Sequence, residues 1–152
     1  MIRMEVTCFL VVAFMSIIYF SARREKTRIH KVFSIFLIMT MLHLVFDGIT
    51  IYTVNHLETV PRLVNDLLHR LFIATMLVVF YLIYHYIALL IEEESKEELE
   101  LSIFSTVMLV IAMIGAFVLP VFYKETVNGN YSYGPAAYML YICVGVYLLL
   151  AA

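Results

Sequence analysis

The sequence has 152 residues, of which 64% are hydrophobic and 14% are charged, and its net charge at pH 7 is −2. Soluble domains carry roughly 25% charged residues and 45–50% apolar ones. A mean hydropathy of +0.96 therefore excludes an ordinary soluble domain, and nothing in the composition supports nucleic-acid binding. The sequence instead predicts an all-α integral membrane protein.

Five apolar segments reach or approach the roughly 20 residues that a helix needs to cross a bilayer. They lie at about residues 6–22, 32–54, 71–91, 101–122 and 136–152. The sequence therefore predicts a five-helix transmembrane bundle that forms one domain over residues 1–152. The last segment is still apolar at Ala152, whereas natural spans are usually followed by polar residues. We therefore expect the chain to be the first part of a longer protein.

The connection after the first segment, Ser21–Lys31, contains half of the ten basic residues. Loops rich in lysine and arginine stay on the cytoplasmic side of the membrane, so this loop is predicted to be cytoplasmic. With helices that alternate in direction, the N-terminus lies outside and Glu92–Glu100 lies inside. The first segment is predicted to be a retained helix, because Arg23 and Arg24 follow it where a signal peptide would have a small-residue cleavage site.

The second segment contains polar residues at a helical spacing. Thr40, His43, Asp47 and Thr50 are separated by three or four positions, which places all four on one face of a helix. Ionisable residues within a span are costly and normally face the protein interior, where they find a partner. We therefore expect this face to pack against the other helices.

Asp47 and Arg70 are predicted to form an ion pair. Asp47 lies about 10 Å below the outer end of the second helix at 1.5 Å per residue, and Arg70 reaches a comparable depth on the third. An unpaired charge at the centre of a span costs about 2.5–3.5 kcal/mol, and pairing offsets much of that cost. His69 or His43 is expected beside the pair. Two interpretations stay open: a structural pair that fixes helix register, and part of a pocket that senses a ligand or protons.

Further polar residues gather at the predicted outer ends of the second and third helices. The candidates for a sensing site, including those within the spans, are His43, Asp47, Tyr52, Asn55, His56, Asn65, His69 and Arg70. Histidine titrates near neutral pH, so this cluster is suited to detect acidity or a small polar ligand. No catalytic, cofactor or metal site is predicted, because the sequence has no Gly-rich phosphate loop, Cys-x-x-Cys, His-Glu-x-x-His or Gly-x-Ser-x-Gly motif.

The loop after the fourth segment predicts a short β-hairpin on the outer face. Asn128-Gly129 is a strong hairpin signal, since both residues tolerate the positive φ angles of a type I′ turn. Gly134-Pro135 is expected to start the next helix, because proline is tolerated in a first turn. Within the fourth segment, Pro120 is expected to cause a mild kink at most.

Two stretches of the sequence resemble a known family. The first is Tyr52–Pro61, followed by Asn65 and Leu68-His69; the second is Asn130–Pro135, which reads Asn-Tyr-Ser-Tyr-Gly-Pro. Together they resemble the N-terminal membrane region of Clostridia-type diguanylate cyclases, which have a GGDEF output domain. The second stretch is also similar to an element in the seven-helix sensor regions of some bacterial histidine kinases. The resemblance extends over nearly the whole chain.

The resemblance implies a sensor in the bacterial plasma membrane, usually with seven helices, that relays an outer-face stimulus to a C-terminal cytoplasmic cyclase. It also implies a homodimer, formed through that output domain. The GGDEF motif is not within these 152 residues, so no catalytic residue is transferred. Three alternatives remain: a histidine-kinase sensor region, a small transporter or channel subunit with a pathway lined by the Asp47 face, and a structural or assembly partner without a ligand.

Overall fold

The computed structural model describes residues 2–23, 27–95, 101–126 and 129–151. Five helices account for most of them, and a two-stranded antiparallel sheet lies between the last two helices. The elements are α1 (Ile2–Ser21), α2 (Arg28–Val54), α3 (Arg62–Ser95), α4 (Leu101–Val118), β1 (Phe122–Lys124), β2 (Tyr131–Tyr133) and α5 (Pro135–Ala151). The predicted helical protein with a short hairpin is confirmed at this level.

Three of the helices are long and apolar enough to cross a membrane: α1 over Met4–Ser21, α2 over Arg28–Val54 and α3 over Arg62–Glu93. The other two are apolar but shorter, at Ile103–Val118 and Pro135–Ala151. Of the two predicted cytoplasmic loops, residues 24–26 and 96–100 lie outside the described residues. The structure therefore supports a membrane protein with three full-length candidate spans.

Helix α4 ends earlier than predicted, because Pro120 terminates it. The sequence predicted a helix to Phe122 with a mild kink, but the structure ends α4 at Val118 and starts β1 at Phe122. The last turn closes with a hydrogen bond of 2.8 Å from the Leu119 amide to the Gly115 carbonyl. Proline has no amide hydrogen and disfavours a helical conformation at the residue before it, so the helix stops instead of bending.

The hairpin is present, but its connection differs from the predicted two-residue turn. Lys124 pairs with Tyr131, so residues 125–130 all lie between the strands. Gly129 has a φ of +122°, as expected for a glycine in a turn. Asn128, the other residue of the predicted Asn-Gly turn, lies outside the described residues.

Helix α3 is the central element, and it packs against α2, α4 and α5. The buried core is formed by one face of α3 together with small residues of its neighbours, which allow the helices to approach closely. Its buried members are Ile73, Leu77, Ala112, Ala116, Val121, Ala136, Leu140 and Cys143. Helix α1 lies at the side, packed against α2.

Helix α3 begins directly after Pro61, and this start point sets which residues face α2. The Pro61 carbonyl accepts a hydrogen bond of 3.1 Å from the Asn65 amide, which closes the first turn. Asn65 and His69 are four residues apart and therefore lie on the same face of the helix. Both side chains are buried.

Candidate functional site

A cleft of about 300 Å³ lies where α2 ends, between that helix, α3, the hairpin and α5. We call it the polar cleft. Its lining residues are Asp47, Thr50, Ile51, Val54, Asn55, His69, Phe72, Asn130, Tyr131, Ser132 and Tyr141. Small-molecule sites usually occupy about 300–1,000 Å³, so the cleft can hold a small ligand.

The hairpin is held over the cleft by two hydrogen bonds from Asn130. Its side-chain Nδ2 donates to the Val54 carbonyl at 3.0 Å, and its backbone amide donates to Asn55 Oδ1 at 3.3 Å. The Val54 carbonyl is one of the last carbonyls of α2, which have no partner within the helix. Asn130 therefore caps α2 and places β2 at the edge of the cleft.

Buried polar side chains connect α2 and α3 beside the cleft. Thr53 Oγ1 donates to Asn65 Oδ1 at 2.8 Å and also lies 3.1 Å from the Thr50 carbonyl. Asn65 is fully buried, with an exposed fraction of 0%. A buried amide bonded by a threonine hydroxyl fixes the register of two helices, because leaving either group unpaired costs about 1–3 kcal/mol.

Three atoms of this region have no hydrogen-bond partner within the described part of the chain: Thr50 Oγ1, Asn65 Nδ2 and His69 Nδ1. Thr50 and His69 each have an exposed fraction of 5%, and both line the cleft. Buried polar groups in native proteins are nearly always paired, so each exception calls for a partner such as a water molecule or a ligand. Helices α2 and α3 therefore each contribute one of these residues to the lining of the polar cleft.

The predicted ion pair between Asp47 and Arg70 does not form. Arg70 Nη1 instead donates to the carbonyls of Ala116 and Phe117, at 2.8 and 2.5 Å. Successive helical residues are rotated by about 100°, so Arg70 faces α4 when His69 faces α2. The predicted pair was based on the depths of the two residues along their helices, and depth does not determine which way Arg70 faces.

Arg70 stabilises the end of α4. The carbonyls that it binds belong to the last turn, where helix carbonyls have no partner within the helix. A cation there also interacts favourably with the helix dipole. Arg70 therefore caps α4, and the Asp47 side chain lines the cleft without it.

Of the remaining predicted site residues, some line the polar cleft and the others lie outside it. His43 lies within the α2–α3 interface, where its Nδ1 is 3.1 Å from Thr75 Oγ1 and its ring stacks on Phe72 at a centroid distance of 5.1 Å. Tyr52 and His56 stack on each other at 4.2 Å, but neither lines the cleft. Asp47, Asn55 and His69 line it as predicted cluster members, and Asn65 lies in the adjoining interface.

Several residues of the cleft were not identified as site residues from the sequence. Asn130, Tyr131 and Ser132 were predicted only as a hairpin, although they belong to one of the two stretches that carry the family resemblance. Tyr141 reaches the cleft from α5. These residues reach the cleft through contacts between distant parts of the chain, which local patterns do not reveal.

A buried tyrosine lies next to the cleft on β1. The Tyr123 ring meets the His69 ring edge-on at a centroid distance of 6.0 Å. Burial raises the pKa of Tyr123, and the nearby Asp66 carboxylate raises it further. The hydroxyl group therefore stays protonated at neutral pH. Among the described residues, no group of three histidine, cysteine or acidic side chains is placed to hold a metal ion.

Comparisons of the chain with protein-family models, with curated proteins and with solved structures find no match. The resemblance to membrane regions of diguanylate cyclases therefore depends on the sequence stretches alone. It stays a prediction, and the geometry of the polar cleft has to support any proposed function independently.

Proposed function

We propose that the chain is the sensory membrane domain of a bacterial signalling protein and that its stimulus acts in the polar cleft. One observation carries the proposal: Thr50 on α2 and His69 on α3 are buried and line the same cleft, and the Thr50 hydroxyl and His69 Nδ1 have no hydrogen-bond partner among the described residues. A ligand that bonds to both helices would change the free energy of their packing. Differential binding of this kind is what allows a ligand to shift a conformational equilibrium.

The proposed topology is a five-helix bundle in which α4 and α5 also cross the membrane. With 18 and 17 residues, these helices are about 26 Å long at 1.5 Å per residue. Thinner bilayers have a hydrocarbon core of about 27 Å. The N-terminus is then outside and the basic loop after α1 is in the cytoplasm, so the polar cleft opens to the exterior.

Helix α3 is the element suited to relay the stimulus. It has 34 residues, which corresponds to about 50 Å at 1.5 Å per residue. One end carries His69 at the cleft, and the other end passes Tyr84 and Leu89, which are buried. A change at the cleft that shifts or rotates α3 would therefore reach the cytoplasmic side of the membrane.

The output that we propose is a C-terminal cytoplasmic GGDEF domain that makes cyclic di-GMP and acts as a homodimer. The support for it is the family resemblance of Tyr52–Pro61 and Asn130–Pro135. A histidine-kinase output is the alternative from the same resemblance.

A transporter pathway along the Asp47 face has less support, because the polar face is packed below the cleft. Thr40 donates to the Phe36 carbonyl of its own helix at 2.8 Å. The His43 ring lies within hydrogen-bonding distance of Thr75 and stacks on Phe72. Polar side chains that are already paired within the helices suit a sensor better than a pathway for ions or solutes.

The proposal predicts opposite effects for two neighbouring threonines. Thr50→Val removes a hydroxyl group that has no partner among the described residues, so we expect the free energy of unfolding to rise by about 1 kcal/mol. Thr53→Val removes the hydrogen bond to Asn65, so we expect it to fall by about 1–2 kcal/mol. Both are measured by denaturant unfolding in detergent micelles. Polar groups kept at the expense of stability are characteristic of functional sites.

The two variants are matched controls for each other, since the substitution, the helix and the depth of burial are the same. If Thr50→Val destabilises the protein as much as Thr53→Val, the Thr50 hydroxyl is bonded within the protein and the cleft is not a binding site. Proteoliposomes test the transporter alternative. We expect no proton or solute flux above that of protein-free liposomes, and a flux that Asp47→Ala abolishes would contradict the sensor proposal.

A further inference from the structure

The polar cleft contains an acidic side chain without a basic partner among the described residues. Asp47 lines the cleft, and no basic side chain in the described ranges forms an ion pair with it; Arg70 is bonded to α4 instead. Glu5 of α1, a second acidic residue, lies near Asp47. One oxygen of Glu5, Oε2, is buried and has no hydrogen-bond partner in the part of the chain that the structure describes. A carboxylate within a membrane span normally has a cationic partner, and the described residues do not supply one here.

Aromatic side chains form part of the lining of the cleft. Phe72, Tyr131 and Tyr141 line it from three different elements, α3, β2 and α5. Aromatic rings attract cations through their quadrupole, and they do so most effectively where water is excluded. The cleft thus combines a carboxylate with rings on several sides, an arrangement that favours an organic ammonium group over a hydrated metal ion.

The buried polar atoms of the cleft indicate that its ligand also carries a hydrogen-bonding group. Thr50 Oγ1 and His69 Nδ1 lie at the α2–α3 wall without a partner among the described residues. A threonine hydroxyl both donates and accepts hydrogen bonds, and a neutral imidazole nitrogen does one or the other according to its tautomer. A ligand with a hydroxyl or ether oxygen near its ammonium group would satisfy these atoms and the carboxylate together.

We infer that the polar cleft binds a small organic cation, an amine or quaternary ammonium with an adjacent hydrogen-bonding group, with Asp47 as its counter-ion. The inference rests on the proposed function and names the ligand class of the same site. The cation has two sources that share this chemistry: a free amino alcohol outside the cell, and the headgroup of a membrane lipid. A volume of about 300 Å³ admits either one.

The test measures the thermal unfolding of the purified chain in a maltoside detergent against increasing concentrations of choline and of ethanolamine. The neutral analogue 3,3-dimethyl-1-butanol, in which carbon replaces the charged nitrogen, is the matched ligand control. We expect a saturable rise in the unfolding temperature with at least one of the two cations and none with the neutral alcohol. Equal stabilisation by the alcohol, or no stabilisation by either cation, would overturn the inference.

Substitutions test whether Asp47 is the counter-ion of the bound cation. Asp47→Asn is expected to weaken cation binding at least tenfold. Glu58→Gln changes an exposed acidic residue of the α2–α3 loop that does not line the cleft, and it is expected to leave binding unchanged. If both variants bind the cation as the wild type does, Asp47 is not the counter-ion. The neutral-alcohol comparison uses only the wild-type chain. It therefore tests whether the ligand needs a positive charge even if Asp47→Asn fails to fold.

Nanodiscs distinguish the two sources of the cation. In discs of phosphatidylglycerol alone, free choline or ethanolamine is expected to stabilise the protein. In discs that contain phosphatidylcholine, a loss of the response to free cation identifies the lipid headgroup as the occupant, and a retained response identifies the free molecule. If all cation tests fail while Thr50→Val still stabilises and Thr53→Val destabilises the protein, the cleft remains a sensing site and only its ligand class is wrong.

Discussion

Replacing Gly134 with alanine is expected to lower the free energy of unfolding by about 3 kcal/mol. Gly134 joins β2 to α5 with a φ of +124°, a backbone conformation that costs a side-chain-bearing residue about 1–3 kcal/mol. An added Cβ would also lie 2.9 Å from Phe122 Cδ2 and 3.1 Å from the Pro120 carbonyl oxygen. Both costs apply together, because the carbonyl belongs to the backbone and cannot rotate away.

Gly145→Ala is the matched control within the same part of the chain. Gly145 lies inside α5, and a Cβ built there meets no atom within 4 Å. Alanine favours a helix over glycine by about 0.5–1 kcal/mol, so this variant is expected to be slightly more stable than the wild type. Unfolding in detergent is measured for both. A Gly134→Ala variant that is as stable as Gly145→Ala would show that the hairpin does not take this conformation.

Removing the guanidinium group of Arg70 is expected to destabilise the protein by about 2 kcal/mol. Arg70→Met keeps much of the aliphatic side chain but loses the hydrogen bonds to the Ala116 and Phe117 carbonyls. Hydrogen bonds from a charged group contribute about 1.5–3 kcal/mol, and partial exposure at the end of α4 reduces that value. Arg70→Lys should have an intermediate effect, because a lysine retains the charge but not the planar fork of donors.

Charge reversal distinguishes this helix cap from the predicted ion pair. If Arg70 interacts with α4 and not with Asp47, the double variant Asp47→Arg with Arg70→Asp is destabilised by the sum of the two single changes, within about 0.5 kcal/mol. The measurement is a double-mutant cycle from unfolding curves of the wild type, the two single variants and the double variant. A double variant that is more stable than either single variant would restore the ion pair and refute the cap.

The positions of the helices could be predicted from the sequence, because apolar length depends on the chain alone. The end of α4 was the exception, since an apolar run through Phe122 outweighed the local effect of Pro120. Proline acts on the backbone of its neighbours whatever the hydropathy of the segment. The residue that ends α4 is therefore visible in the sequence.

The candidate site was predicted in part, and the errors concern which way side chains face. The spacing of Thr40, His43, Asp47 and Thr50 predicted one polar face of α2. In the structure His43 contacts Thr75 of α3, Asp47 and Thr50 line the cleft, and Thr40 bonds to its own helix. Arg70 was matched to Asp47 by depth, but its rotation about α3 directs it to α4. Such rotations follow from where a helix begins and from how it packs, and neither is contained in a count of residues.

The contribution of the hairpin could not be predicted from local patterns. Asn130 bonds to Val54 and Asn55, and these partners are far away in the sequence. The resemblance to known sensor regions includes both Tyr52–Pro61 and Asn130–Pro135, but it does not indicate that these stretches are in contact. Their contact closes one side of the polar cleft, so the site exists only in the folded chain.

Labelling from outside the cell is the most direct test of an outward-facing sensory cleft. In a background with Cys8→Ser and Cys143→Ala, Ser132→Cys places a thiol in the cleft and Arg23→Cys places one at the other end of the helices. Spheroplasts are treated with a membrane-impermeant maleimide before and after permeabilisation. We expect Ser132→Cys to react in intact spheroplasts and Arg23→Cys to react only after permeabilisation. The reverse pattern would place the cleft in the cytoplasm and contradict the proposed direction of signalling.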